Sequence, residues 1–328
     1  MAKFVHDAKT NRWVIIAPGR VGRSHDNLPS PPRSGDPTCP FEPENDALNE
    51  EVFSIGPASA GWKVRVIKNK YPITEIHEVI IHSPDHQKDI DQLPLEQVEL
   101  ILQTYRARFN FHKNHGQVLI FNNHDVHAGA SISHPHSQLV VVPNEIKLDT
   151  ITKEPVENIV VTSSRLPAGK AGFTVYCPSF SQWPYEIWIA PREKIDDRKL
   201  KIGEEDRGLK IEKSLSSTFD PQNTTLYPPS SIVNTFGAIS DEQIADLAPL
   251  LQKILGYIIK RFSQSGSMKQ PGSDLDVPYN FYIYHGPDWY LRIIPRLIHR
   301  AGFELGTGLS VNIVDPKEAA KEYREGLG

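Results

Sequence analysis

Cysteine is nearly absent from this chain: 328 residues hold only Cys39 and Cys177. Two thiols cannot build a disulfide framework, nor can they supply a four-cysteine zinc site. A mixed-ligand metal site stays open, because 13 histidines are present. Long hydrophobic runs are missing as well. No segment reaches the roughly 18 uninterrupted apolar residues of a membrane-crossing helix, and the start, Met1-Ala2-Lys3-Phe4-Val5-His6-Asp7, lacks the apolar core of a signal peptide. A cytoplasmic protein is the expectation. Nor does one sign of charge prevail: 36 Lys and Arg stand against 40 Asp and Glu, which leaves no electrostatic case for a nucleic-acid or membrane partner. The length allows a large core, arranged as two domains or as one unit used twice.

What is present favours a unit used twice. The blocks Gly61-Trp62-Lys63-Val64-Arg65-Val66, His77-Glu78-Val79-Ile80-Ile81 and Ser83-Pro84-Asp85-His86 have weak counterparts further on. These are Gly172-Phe173-Thr174-Val175-Tyr176-Cys177, Tyr185-Glu186-Ile187-Trp188-Ile189 and Ala190-Pro191-Arg192-Glu193. An amphipathic helix follows in each half. Leu95, Val98, Leu102, Tyr105 and Phe109 form one apolar stripe, and Ile244, Leu247, Leu251, Ile254, Leu255, Ile258 and Phe262 the other. Ser240-Asp241-Glu242-Gln243 is a capping-box start for the second helix. Two strands come after each helix: 117–122 and 134–142, then 279–285 and 290–295. The expected fold is therefore α+β and duplicated, with two antiparallel-sheet halves, 1–165 and 166–328, each flanked by a long helix. A stretch at about 196–236, first charged and then polar and proline-bearing, interrupts the second half and reads as an insertion.

The stretch richest in chemistry is His134-Pro135-His136-Ser137-Gln138. It leads into Leu139-Val140-Val141-Val142-Pro143, a β-branched run closed by proline, so a strand is expected across the motif. On a strand, His134, His136 and Gln138 share one face. Pro135 removes a backbone donor, so the strand should lie at a sheet edge or begin there. Upstream, Ala128-Gly129-Ala130-Ser131-Ile132-Ser133 is a small-residue loop that lets amides and hydroxyls approach an anion closely. A nucleophilic histidine beside a phosphate cradle fits these residues. A metal site, or two polar side chains on a solvated face, fits the histidine pair taken alone. The counterpart strand, Tyr290-Leu291-Arg292-Ile293-Ile294-Pro295, carries no histidine. An active half and a supporting half would look like this.

With its flanking blocks the motif resembles the active-site signature of the galactose-1-phosphate uridylyltransferase family, the nucleotidyltransferase branch of the histidine-triad superfamily. The other matching blocks are Trp13-Val14-Ile15-Ile16-Ala17-Pro18-Gly19-Arg20 with Arg23, Cys39-Pro40-Phe41 and Asn69-Lys70-Tyr71-Pro72. Ser83-Pro84-Asp85-His86, Phe121-Asn122-Asn123 and Gly302-Phe303-Glu304 complete the set, which follows the family's order over nearly the whole chain. The resemblance implies a histidine-triad-like fold in each half, a homodimer, and a double displacement. His136 would attack the α-phosphate of a nucleoside diphosphate sugar, release hexose 1-phosphate, and hold the nucleotide until a second phosphate takes it. Imidazole suits this role because its neutral nitrogen is nucleophilic near pH 7. Gln138 implies transfer, since the related hydrolases carry there a third histidine that can protonate a leaving group. By the same resemblance the carbonyl of His134 orients His136, Asn69, Asn123 and Ser131 match substrate-contacting positions, and Arg20 and Arg23 match arginines that approach the phosphates. For both arginines a solvated loop is the alternative.

The resemblance also implies a structural zinc, held in many members by a Cys-x-x-Cys pair, the histidine of the Ser-Pro-Asp-His block and the first histidine of the signature. Here the second cysteine is Glu42, which leaves Cys39, Glu42, His86 and His134, a donor set that zinc accepts. A decayed site with a merely buried Cys39 is the competing reading. A second metal site of some members needs histidines where this chain has Tyr290 and Arg292, so none is expected there. Uridylyl transfer from UDP-glucose to a hexose 1-phosphate, in galactose and nucleotide-sugar metabolism, is the leading activity. Ser137, where glycine is usual, and Gly302-Phe303-Glu304-Leu305-Gly306-Thr307-Gly308 point toward the alternative, phosphorolysis of ADP-glucose or a dinucleoside polyphosphate. A non-catalytic nucleotide-binding protein is the third reading, opposed by the intact His136 and Gln138.

Overall fold

The computed structural model of the chain describes residues 2–7, 12–20, 39–56, 61–148, 156–162, 172–192, 235–263 and 277–327. Its elements are β1 (Lys3–Asp7), β2 (Arg12–Ile16), β3 (Glu51–Ile55), β4 (Val64–Lys68), β5 (His77–Ile81), α1 (Leu95–His112), β6 (Gln117–His124) and β7 (His136–Val142). There follow β8 (Ile159–Thr162), β9 (Phe173–Tyr176), β10 (Ile187–Pro191), α2 (Asp241–Ser263), β11 (Tyr279–Ile283), β12 (Leu291–Pro295), α3 (Gly302–Thr307) and α4 (Pro316–Leu327). β1 and β2 pair only with each other, and the other ten strands form one sheet in the order β3-β4-β5-β7-β6-β11-β12-β10-β9-β8. Each set of five strands has the same plan: the fifth strand lies between the third and the fourth, and the long helix falls between the third and fourth in sequence. β6 and β11 join the sets antiparallel, with Asn122 opposite Phe281 and Asn123 opposite Asn280.

Alternation of side chains gives this sheet two unlike faces. One packs the helices. Val98, Ile101, Leu102 and Tyr105 of α1 and Leu247, Leu251, Ile254 and Ile258 of α2 are buried in one cluster with Val118, Ile120, Leu139, Val141, Phe281 and Ile293. Leu95, read as part of the α1 stripe, is exposed at the first turn. The α2 capping box forms: the Gln243 N–H donates to Ser240 Oγ at 3.2 Å and the Ser240 N–H to Gln243 Oε1 at 3.0 Å. The opposite face carries His136 and Gln138. Among the described residues no helix is long and apolar enough to cross a membrane.

The motif strand differs from expectation in where it starts, and of the two placements expected for Pro135 the second holds, since the strand begins there. β7 begins at His136, so Pro135 sits just before it and His134 lies in the preceding turn, not on the strand face shared by His136 and Gln138. The proline carbonyl still accepts the His82 N–H at 3.1 Å, which shows that only the missing donor had to be placed outside the ladder. β7 is also central, flanked by β5 and β6. The 196–236 insertion lies, but for its last two residues, outside the described residues, and so does Arg23.

Beneath β7, on the helix face, a buried polar cluster is organised by Asp89. His82 Nδ1 lies 3.1 Å from Asp89 Oδ1, His124 Nδ1 is 2.8 Å and the Tyr279 hydroxyl 3.2 Å from Oδ2, and the Ile90 N–H donates to Oδ1 at 2.8 Å. His82 Nε2 in turn reaches Ser137 Oγ at 2.8 Å, and the Tyr105 hydroxyl reaches it at 2.5 Å. Burial alone would raise the Asp89 carboxyl, but its hydrogen bonds to His124 and His82 outweigh this and hold it well below the carboxylate range. Removing one partner of such a cluster strands the others in a dry interior, at about 3 kcal/mol. Asp89→Asn should therefore lower the urea unfolding midpoint much more than Ser240→Ala, which loses one cap at about 1 kcal/mol; equal shifts would contradict the assignment of Asp89 as the hub.

Candidate active site and metal centre

Three segments far apart in sequence meet above the start of β7. The Cys39 turn, the loop after β5 and the turn before β7 bring Cys39, Glu42, His86 and His134 together, with one ligand atom of each lying within 4.8 Å of all the others. Cys39 Sγ is 4.0 Å and Glu42 Oε1 3.6 Å from His134 Nδ1, and His86 Nδ1 is in close contact with the same Glu42 oxygen. A tetrahedral zinc with its usual bond lengths spaces its ligand atoms roughly 3.3–3.8 Å apart. The four donors are of the kinds zinc takes, and their separations bracket that spacing. Their outer atoms are fixed as ligands require: His134 Nε2 donates to the Ser83 carbonyl at 2.8 Å, His86 Nε2 lies 3.0 Å from Ser133 Oγ, and the Phe41 N–H points at Cys39 Sγ at 3.4 Å. The Nδ1 of His134 is thereby left as the lone-pair nitrogen facing the cluster.

His136 faces away from that cluster. Its Nδ1 donates to the backbone carbonyl of His134 at 2.8 Å, so its Nε2 carries the free lone pair. Burial pushes this imidazole down to about 4, only partly offset by the hydrogen bond to the carbonyl, so it is neutral at pH 7. Phe41, brought in by the Cys39 turn, lies edge-on to His136 with ring centroids 5.2 Å apart. His136 and the four-donor group therefore share a loop as well as a residue, His134. On the next position of the same face, Gln138 places its Oε1 3.0 Å from His77 Nε2.

The residues expected to touch substrate are placed as follows. Asn123 adjoins the motif on β6, and its Oδ1 accepts from Asn280 Nδ2 at 2.9 Å. The 128–133 loop, which holds Ser131, turns back through Gly129 in the left-handed region at φ 93°, and a side chain built there would lie 3.6 Å from Asn123 Nδ2. Arg20 donates to the Tyr71 carbonyl at 2.6 Å. Asn69 accepts the Tyr71 N–H on its Oδ1 at 2.8 Å, which commits that oxygen to the chain itself. Sequence reading missed His77, His82 and Asp89, and gave Phe41 no role. The register of β5 on β7 reveals His77, and the packing of segments distant in sequence reveals the others.

In the second half the equivalent face is filled. Glu186 pairs with Arg292 through Nε at 2.7 Å and Nη2 at 2.8 Å, and also accepts from Trp188 Nε1 at 2.7 Å. Tyr290 stacks on Trp188 and on Tyr284, with centroids 4.0 and 5.1 Å away. A guanidinium and aromatic rings occupy the region that corresponds to His136 and Gln138.

Fold and site together define a class: a protein of two like antiparallel-sheet halves with a buried histidine beside a group of four possible metal donors. Comparison with known proteins carries this further. Residues 72–142 match the sequence model of the galactose-1-phosphate uridyl transferase N-terminal domain. The chain is 27% identical to ADP-glucose phosphorylase of Arabidopsis thaliana, over 97% of this chain and 91% of the relative, and 21% identical to galactose-1-phosphate uridylyltransferase of Thermotoga maritima, over 99% and 98%. The Arabidopsis ADP-glucose phosphorylase structure with bound ADP-glucose has the same fold, at TM-score 0.64 and 24% identity with 99% of both chains covered. A uridylyltransferase structure follows at TM-score 0.62 and 20% identity, over 100% of this chain and 98% of the other. The chain is thus similar along nearly its whole length to galactose-1-phosphate uridylyltransferase and to ADP-glucose phosphorylase, and shares their fold.

If the four donors hold a metal, chelation should lower the thermal midpoint by about 5 °C or more, because an ion that binds only the folded chain stabilises it. Glu42→Ala should lower metal content in elemental analysis. Less than about a tenth of an equivalent of metal in the purified protein would count against the centre.

Proposed function

We propose that the chain is a nucleotidyltransferase that moves a nucleoside monophosphate from a nucleoside diphosphate sugar to a phosphate acceptor through a covalent nucleotidyl-histidine on His136. The observation that carries this reading is the tautomer: the His134 carbonyl takes the Nδ1 proton of His136, which leaves a neutral, buried Nε2 as nucleophile. Nε2 attacks the α-phosphorus, the N–P bond forms, and the P–O bond to the sugar phosphate breaks with its electron pair leaving on hexose 1-phosphate. The positive charge that develops on the ring is stabilised by the same carbonyl through Nδ1–H. An acceptor phosphate oxygen then attacks phosphorus in line and returns His136 to its neutral form. Gln138 can hydrogen-bond the phosphoryl oxygens but, as an amide, has no proton to give a leaving group at pH 7. That favours transfer over hydrolysis.

Arg20, Arg23, Asn69, Asn123 and Ser131 belong to the substrate side of this reading, the arginines as partners for phosphate. Cys39, Glu42, His86 and His134 would hold zinc, which supplies a fixed structural centre and no step of the transfer. The division into halves at 1–165 and 166–328, a cytoplasmic location and a homodimer belong to the same reading. Large exposed apolar side chains at Phe303, Leu305 and Leu309 support the last of these. UDP-glucose with a hexose 1-phosphate as acceptor is one donor and acceptor pair. ADP-glucose with inorganic phosphate is the second, favoured by 27% identity to an ADP-glucose phosphorylase across 97% of the chain.

Incubation with UDP-glucose or ADP-glucose labelled in the nucleotide should leave acid-labile, base-stable label on His136, and whichever donor labels the chain identifies the base. His136→Asn should reduce labelling to background. Absence of label from both donors in folded protein would refute the covalent mechanism.

A further inference from the structure

Gln138 faces the reacting phosphate usefully only if its amide points the right way round, and its two ends are nearly equal in shape. Something must hold it. The register of β5 on β7 sets Val79 opposite Gln138 and His77 opposite Val140, so His77 and Gln138 are diagonal neighbours on the site face. His77 is 4% exposed, and burial, the largest influence, pushes its imidazole down to about 4, so at pH 7 it carries a single ring proton. A main-chain donor decides where that proton sits. The Ile73 N–H points at His77 Nδ1 at 3.1 Å, which makes Nδ1 an acceptor and puts the proton on Nε2. Asn69 Nδ2 also lies 3.1 Å from Nε2, and with its Oδ1 committed to the Tyr71 N–H it is a second donor facing the ring. A neutral ring keeps one proton, so only one of the two donors is accepted, and the main-chain N–H is the one fixed in place. Asn69 is left offering no acceptor to the Nε2 proton. The acceptor within reach is Gln138 Oε1, at 3.0 Å.

We infer that His77 is a positioning residue that, through its Nε2–H, holds the carbonyl end of Gln138 and thereby turns the amide NH2 toward the phosphoryl group transferred at His136. This rests on the proposed function. The chain of command runs from a backbone amide that cannot move, through a ring whose tautomer that amide dictates, to the donor that the phosphate meets. With the ring gone, Gln138 would divide its time between two orientations, one of which turns its oxygen lone pairs on an anion. The reverse arrangement, a carboxamide oxygen facing phosphate, is repulsive and should be strongly disfavoured in the transition state.

Nitrogen-15 NMR of histidine-labelled protein tests the first link without any turnover: His77 should be the Nε2–H tautomer at pH 7, and an Nδ1–H tautomer would overturn the inference. Kinetics test the second. His77→Phe should lower kcat on the order of 10- to 100-fold with KM changed less than about threefold, and His77→Gln, whose amide can again donate to Gln138, should recover most of the loss. In a Gln138→Ala background His77→Phe should change kcat by less than about twofold, since the residue it orients is gone; losses that multiply would show that His77 acts by another route. If the wild-type chain takes label from neither donor, the proposed function fails and the tautomer measurement still decides the first link. If it takes label and folded His77→Phe turns over at the wild-type rate, only the positioning role falls.

Discussion

Residue 134 serves two sites with two different parts of itself, and most of the active-site geometry follows from that. Its imidazole faces Cys39, Glu42 and His86, with Nε2 anchored on the Ser83 carbonyl, while its own carbonyl receives the proton of His136. The carbonyl could turn independently of the ring only by rotation about the bond between the His134 Cα and its carbonyl carbon, and Pro135, which follows, restricts that rotation to the extended range while the ladder of β7 begins at the next residue. Ring and acceptor are thereby held together, and the acceptor sets the tautomer of His136. The Cys39 turn strengthens the same coupling from above, because the loop that brings a thiol to the cluster also sets Phe41 edge-on to His136. The polar layer below β7 supports it from the other side, with Ser137, between His136 and Gln138, held by His82 and Tyr105. His136 and Gln138 are thus fixed on both faces of one strand.

The helix stripes and the capping box could be read in the sequence, because each depends on periodicity or on a short block of residues, whereas Cys39, Glu42, His86 and His134, which the fold brings together from three distant segments, were named through the resemblance. The strand start was misplaced by two residues for a local reason: a β-branched run suggests a strand but does not say where its ladder begins, and Pro135 decided it. His77 escaped notice for a different reason. In His77-Glu78-Val79-Ile80-Ile81 it reads as the polar first residue of a strand, and nothing local links it to Gln138, 61 residues away. Diagonal contacts between strands depend on register, which no single segment encodes. Asp89 was hidden likewise, since its partners His82, His124 and Tyr279 come from three different parts of the chain.

The second half shows what the same scaffold does without the chemistry. Where one half keeps an imidazole and an amide on this face, the other fills it with the Glu186–Arg292 pair and a stack of Trp188, Tyr290 and Tyr284. A buried ion pair with every carboxylate oxygen satisfied is a stable filling for such a face, and rings packed over it exclude the water that would compete. Polar side chains serve both halves, but in one they are aimed at a ligand and in the other at each other.

The seam between β6 and β11 has one more consequence. Two identical subunits meeting edge to edge would have to carry every substitution twice, once on each side of the symmetry axis. A seam between two stretches of one polypeptide has no such constraint, and the covalent link keeps the two edges at a high effective concentration whatever their faces become. Asn123 and Asn280, hydrogen-bonded across it, are the same residue type in two unlike settings, one on the strand next to His136 and Gln138 and the other beside Arg296. Once the join is internal, one half can be shaped for chemistry and the other for support, and the sheet stays continuous through both.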